Sequence, residues 1–135
     1  MKKKYFIMSP FEYKGYPRSQ EISGKGLNQS IEALARITEK AQPFVVEKSM
    51  IIKIHHASDP VAQLSAEQLC GDLINAGYKN AISSELTANE KLTDDFITDK
   101  IDEAELIDGS HKIPVLCGFI SDGLTEVIRF EEIKV

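Results

Sequence analysis

The side chains in this 135-residue chain that could do chemistry are few and scattered. His55 and His56 stand together with Ser58 close behind, and imidazoles beside a hydroxyl are the parts from which general-base and nucleophilic sites are built. They sit at the end of a β-branched run, Met50-Ile51-Ile52-Lys53-Ile54, that reads as a strand. Adjacent strand residues point to opposite faces, so the two rings cannot easily converge on one metal ion. One packed and one solvated ring is the expectation. His111 lies beside Gly109 and Lys112 in a predicted loop, with no Cys or carboxylate at ligand spacing. Asp94, Asp95, Asp99, Asp102, Glu103, Glu105 and Asp108 are acidic enough to hold a cation. They lack the spacing and central Gly of a Ca²⁺ loop, and a solvated helix face is the simpler reading. No metal and no cofactor is therefore expected.

Other motifs are equally incomplete. Gly24-x-Gly26 lacks the further glycines and the Lys-Ser/Thr ending of a phosphate loop, and reads as a loop-to-helix junction. Ser9, Ser58, Ser65 and Ser121 are hydroxyls outside any Gly-x-Ser-x-Gly elbow. Cys70 and Cys117 fall in apolar segments, as small core residues rather than a disulfide. Cys117 becomes a reactive thiol only if its strand end opens into a cleft with positive charge nearby.

The elements that must position these groups alternate. Residues 4–8 make a short buried strand stopped by Ser9-Pro10, and residues 11–26 read as a long surface loop, punctuated by Gly15, Pro17, Gly24 and Gly26 and rich in aromatic groups (Phe11, Tyr13, Tyr16). Leu27, Ile31, Leu34, Thr38 and Ala41 recur at helical spacing, with Glu32, Arg36 and Lys40 on another face and Pro43 at the end. After the His55-His56 strand, Ser58-Asp59-Pro60 starts a helix over 60–76, with Asp59 as cap and Gly77 as left-handed terminator. Its stripe is Ala62, Ala66, Leu69, Leu73 and Ala76, widened by Cys70 and Ile74. A short strand is predicted over 78–83, an acidic helix over 93–107, a strand buried on both faces over 113–119, and a terminal strand over 125–135. Alternating strands and helices in a chain of this length predict a single α/β domain spanning residues 1–135, with a mainly parallel sheet flanked by helices.

Composition narrows the partners. A net charge of −5, with Lys and Arg dispersed along the chain, gives no footprint for nucleic acid. No apolar run is long enough for a bilayer, and the Lys2–Lys4 basic run precedes an apolar stretch too short for a signal peptide. A cytoplasmic protein that engages neither membrane nor nucleic acid is expected.

Three stretches together resemble the histidine phosphatase superfamily, with its phosphoglycerate-mutase-like three-layer fold, and in particular the short phosphohistidine-phosphatase type. In that family a first strand runs into Arg-His-Gly and a Leu-Thr-x-Lys-Gly segment opens a helix. Here Tyr5-Phe6-Ile7-Met8-Ser9-Pro10 is followed by Ile22-Ser23-Gly24-Lys25-Gly26 and Gln29. The family's Ser-Ser-Pro-x-x-Arg-Ala-x-Gln-Thr-Ala-Glu pattern aligns without gaps with residues 54–67, from Ile54-His55-His56 to Ser65-Ala66-Glu67. A later apolar strand that should end in a second His corresponds to Val115-Leu116-Cys117-Gly118-Phe119-Ile120.

The resemblance implies the scaffold and denies the reaction. Phosphoryl transfer of that kind needs an attacking imidazole, a second His, arginines on the phosphoryl oxygens and an acid for the leaving group. The nucleophile's position falls at Met8-Ser9-Pro10, the second motif's Arg on Val61 and the last His near Phe119. The expectation is a pseudophosphatase with no catalytic residues, a binding or regulatory protein. Ser9, Arg18, His55, His56, Ser58 and Phe119 would line what is left of an anion pocket for a phosphate-bearing ligand, or a protein partner would be bound instead. Two other readings stay open: an enzyme of unassigned mechanism at the same strand-end cleft, using His55 or His56 with Ser58, Arg18 or Cys117, and an immunity-type accessory module that presents its acidic face to a basic protein.

Overall fold

The computed structural model describes residues 2–15, 21–41, 51–87, 91–105, 115–121 and 128–134. In chain order the elements are β1 (Lys2–Met8), β2 (Tyr13–Lys14), β3 (Glu21–Ile22), α1 (Gly24–Ala41), β4 (Ile51–His56), α2 (Pro60–Asn75), β5 (Asn80–Glu85), α3 (Asp94–Glu105), β6 (Val115–Ile120) and β7 (Arg129–Lys134). Five strands form one sheet in the order β5-β4-β6-β1-β7. The first four run parallel, and β7 closes the far edge antiparallel to β1.

The continuous apolarity of β6 has the expected cause. It lies between β4 and β1 and is covered on both faces. Alternation along the strands sends Phe6, Met8, Ile52, Ile54, Leu116 and Ile120 to one side, where Ala33 and Ile37 of α1 and Ala62, Ala66, Leu69 and Leu73 of α2 meet them. Tyr5, Ile7, Cys117 and Phe119 go to the other side, against Ile97 and Ile101 of α3. The molecule is thus an α/β/α sandwich of three layers. Gly118 makes the first packing possible: the Phe6 ring lies where a Cβ at residue 118 would be.

Several expected details differ. The stretch 11–26 is not a plain surface loop: Phe11 is buried in the core, β2 and β3 pair as a small hairpin, and α1 already begins at Gly24. Tyr16, Pro17 and Arg18 lie outside the described residues. Ser23 caps α1, its Oγ accepting from the Gly26 amide at 3.0 Å, while its own amide donates to the Glu12 carbonyl at 3.1 Å. That junction holds the chain after β1 against the helix start, so close that a Cβ on Gly26 would overlap the Glu12 carbonyl.

This close approach rotates α1 from its predicted face. Gly26, Ser30, Ala33 and Ile37 point inward, while Leu27 and Ile31 are 45% and 61% exposed. Small side chains occupy the contact because larger ones could not. In α2, Ile74 likewise faces outward, and the Asp59 side chain makes no cap hydrogen bond. Gly77 does terminate the helix, with φ 103°. The terminal strand pairs within the chain, Lys2 opposite Lys134 through Ile7 opposite Arg129. Pro43, Asp108, Gly109, His111 and Pro114 lie outside the described residues.

Gly118→Ala is expected to destabilise the fold by about 1–3 kcal/mol, because a buried ring must move. Urea denaturation measures it, and the loss should shrink in a Phe6→Leu background, where the overlapping ring is gone.

Candidate functional site

The carboxyl ends of β4, β6 and β1 meet in one row. Ile120 is in register with His56 on one side and Met8 on the other. The ladder continues past the strands: the Ser121 amide donates to the Met8 carbonyl at 3.1 Å, and the Ala57 amide to the Ile120 carbonyl at 2.9 Å. Ser9-Pro10, Ala57-Ser58 and Ser121 therefore leave the sheet at the same edge. That is the edge at which open α/β sheets hold ligands.

The two histidines separate to opposite faces, as alternation requires. His55 faces α3 and lies on Phe119, its neighbour in register, with ring centroids 5.2 Å apart and an interplanar angle of 22°. Its Nδ1 is 3.0 Å from the Ser84 hydroxyl on β5. His56 faces α1 and α2, and its Nδ1 lies 2.9 Å from the Ala57 carbonyl. A carbonyl only accepts, so this nitrogen carries the proton and donates it. Neither ring is solvated: His55 is 5% and His56 6% exposed. The expectation of one wet ring fails because β4 lies inside the sheet, with α2 packed on one face and the Phe119 ring lying on His55 at the other.

Of the other expected site residues, Phe119 is fully buried beside His55, Ser9 is buried at the end of β1, and Ser58 is exposed just ahead of α2. Arg18 lies outside the described residues. His55 and Phe119 are thus brought together, and His56 is held away from them by the thickness of the sheet. Val61, in the second-motif arginine position, is in the first turn of α2.

The sequence pattern understates two residues with a part in this region. Ser65 accepts a hydrogen bond from the Phe11 amide at 2.8 Å and donates one to the Val61 carbonyl at 2.8 Å. It pins the segment after β1 to α2, and Phe11 joins the same apolar cluster as Met8 and Ile120. Its place on the inner stripe, one turn after Ala62 and next to Ala66, was the available signal. Ser84 carries no local signal, since its partner is 29 residues away in sequence.

The titration of the buried groups favours their neutral forms. Burial, then the charge of Glu105, pushes the Cys117 thiol up to about 12, so it is no low-pKa nucleophile. Burial also raises Cys70. The Tyr13 phenol is pushed up to about 12 by burial and then by Glu67, against the Ser65 hydrogen bond that lowers it. Among the described residues no group of three or more His, Cys, Asp or Glu side chains could hold a metal ion. On α3 the acidic stretch is partly neutralised, with Lys3 bonded to Asp102 and 3.6 Å from Glu105.

The arrangement is one of packed imidazoles and satisfied hydroxyls around an apolar strand end. No family model matches the chain, and no curated protein matches it in sequence. No helix among the described residues is long and apolar enough to cross a membrane.

Ser65→Ala should cost about 1–3 kcal/mol in guanidinium unfolding, because it leaves the buried Phe11 amide without its acceptor. The raised thiol has a pH consequence. The folded protein keeps the Cys117 proton where the unfolded chain, with its ordinary value of 9.0, loses it. Stability should therefore fall as pH rises from about 9 towards about 12, and Cys117→Ala should flatten that slope in melts across this window.

Proposed function

We propose that this chain is a noncatalytic, histidine-phosphatase-like protein that works by binding rather than by phosphoryl transfer. One observation carries the reading: the three segments with the family-like pattern meet at one sheet edge, and apolar side chains occupy the positions where the chemistry would need imidazoles. Met8, Phe119 and Ile120 are buried there. The convergence supports the scaffold, and the burial supports the loss of the reaction.

Phosphoryl transfer needs a nucleophile in line with the phosphorus and positive groups around its oxygens. His55 is stacked under cover and His56 is tied to its neighbour's carbonyl on the other face. Losing one member of a cooperating set already costs several kcal/mol of transition-state stabilisation, and here nucleophile and clamps are replaced together. Phe11 is buried in the cluster that holds Met8 and Ile120, which puts apolar packing where a phosphate would need donors and positive charge. The acidic-module reading draws on α3, which turns Ile97 and Ile101 inward and exposes Asp94, Asp95, Asp99 and Glu103. Binding by that face would weaken steeply with salt.

The test is an assay of the purified chain on phosphohistidine peptide and p-nitrophenyl phosphate without metal, paired with a calorimetric titration of inorganic phosphate. No turnover above the blank is expected. Saturable phosphate binding without turnover leaves the noncatalytic reading standing and adds an anion to what the protein holds. Turnover that His55→Ala or His56→Ala abolishes overturns it.

A further inference from the structure

The two edges of the sheet are built differently. The outer strand β7 carries Arg129, Glu131, Glu132 and Lys134, the kind of charged edge that discourages pairing with another chain. At the other edge β5 reads Asn-Ala-Ile-Ser-Ser-Glu, free of proline, and its Ile82 side chain is 48% exposed. Among the described residues β5 pairs only with β4.

Its backbone polarity follows from one bond. Glu85 is in register with His56, and the next amide, that of Leu86, donates to the His56 carbonyl at 2.8 Å. Residues 82, 84 and 86 therefore turn their amides and carbonyls towards β4, while Ala81, Ser83 and Glu85 turn theirs outward. Among the described residues the inner strands β4, β6 and β1 have a neighbour on both sides, whereas the outward set on β5 is a template for another strand.

We propose that β5 pairs antiparallel with β5 of a second copy of this chain, about a twofold axis at Ile82, to make one continuous ten-stranded sheet. The proposal is independent of the strand-end reading. In that register Ile82 faces Ile82 in a non-hydrogen-bonded pair, where side chains approach most closely. Ala81 and Ser83 of the two copies exchange backbone hydrogen bonds. Lys79, in the turn immediately before β5, comes beside Glu85 of the other copy when the pairing runs one residue past the strand, and both side chains are exposed in the single chain. The strand with the turn residue before it is thus complementary to itself in charge and in apolar contact, as an isologous interface must be.

Neighbouring registers lose this match. An axis at Ala81 sets Lys79 against Ser83 and Ile82 against Asn80. An axis at Ser83 sets Ile82 against Ser84 and Glu85 against Ala81. An axis between residues opposes outward-facing with inward-facing backbone groups and forms no ladder. The contact is small, so the dimer is a reversible one whose population rises with concentration.

Sedimentation velocity over a range of concentrations tests the pairing, with circular dichroism to show that each variant is folded. The wild-type chain should move from monomer mass towards twice that mass as concentration rises. Ile82→Lys should remain monomeric throughout, and Lys79→Glu should weaken association at least tenfold. Adding Glu85→Lys to Lys79→Glu should restore it. Hydrogen exchange should slow at the Ala81, Ser83 and Glu85 amides only at dimer-forming concentrations. A folded wild-type chain that stays monomeric overturns the proposal, as does a dimer that Ile82→Lys leaves intact. Slowed exchange at those amides in a monomer, on adding an unrelated extended peptide, assigns the edge to a different partner and also overturns it.

Discussion

The architecture hangs on the contact between the Phe6 ring and Gly118. β6 is the strand that joins the two halves of the sheet, with β4 on one side and β1 on the other. It can be covered on the α1/α2 side only because residue 118 has no side chain to displace the ring of its registered neighbour, Phe6. With that ring seated, β1 and β6 stay in register to Met8 and Ile120, and the Ser121 and Ala57 amides extend the ladder past the strand ends. The row of strand ends from which any site must be assembled is therefore a consequence of core packing.

The same packing explains why His55, His56 and Ser65 are turned inward. Burying a polar group is tolerated when it is hydrogen-bonded. The structure follows that rule with Ser65 between Phe11 and Val61, His56 on the Ala57 carbonyl and the Nδ1 of His55 beside Ser84. These groups face inward, and the aromatic contact of His55 with Phe119 continues through Tyr5 in an edge-on arrangement to Glu131 and Arg129 of β7. Polar residues in this region orient the core.

The sheet and its helices were legible because their signals are periodic. The unbroken apolar run of β6, the Asp-Pro start and Gly77 stop of α2, and the strand bearing His55 and His56 all stand where the pattern put them. The face of α1 was not legible, since hydrophobicity points to Leu27 and Ile31 while the close approach of Glu12 demands Gly26, Ser30 and Ala33. The β2-β3 hairpin has two residues in each strand, too few for an alternation to be seen. At the candidate site the opposed faces of His55 and His56 follow from adjacency alone. Their shared burial depends on α2 over one face and on Phe119 of β6 over the other, and the partnership with Ser84 on pairing between strands. Long-range contacts of that kind leave no local trace.

A crystal structure grown with orthovanadate, a mimic of the phosphoryl group in transfer, tests the central claim most directly. The account predicts Met8, Phe11 and Ile120 in their buried positions, His55 still stacked on Phe119, and no vanadate between the ends of β1, β4 and β6. Vanadate bound there to an imidazole nitrogen, with Phe11 displaced to admit it, would contradict the account and make the strand end a working phosphoryl site.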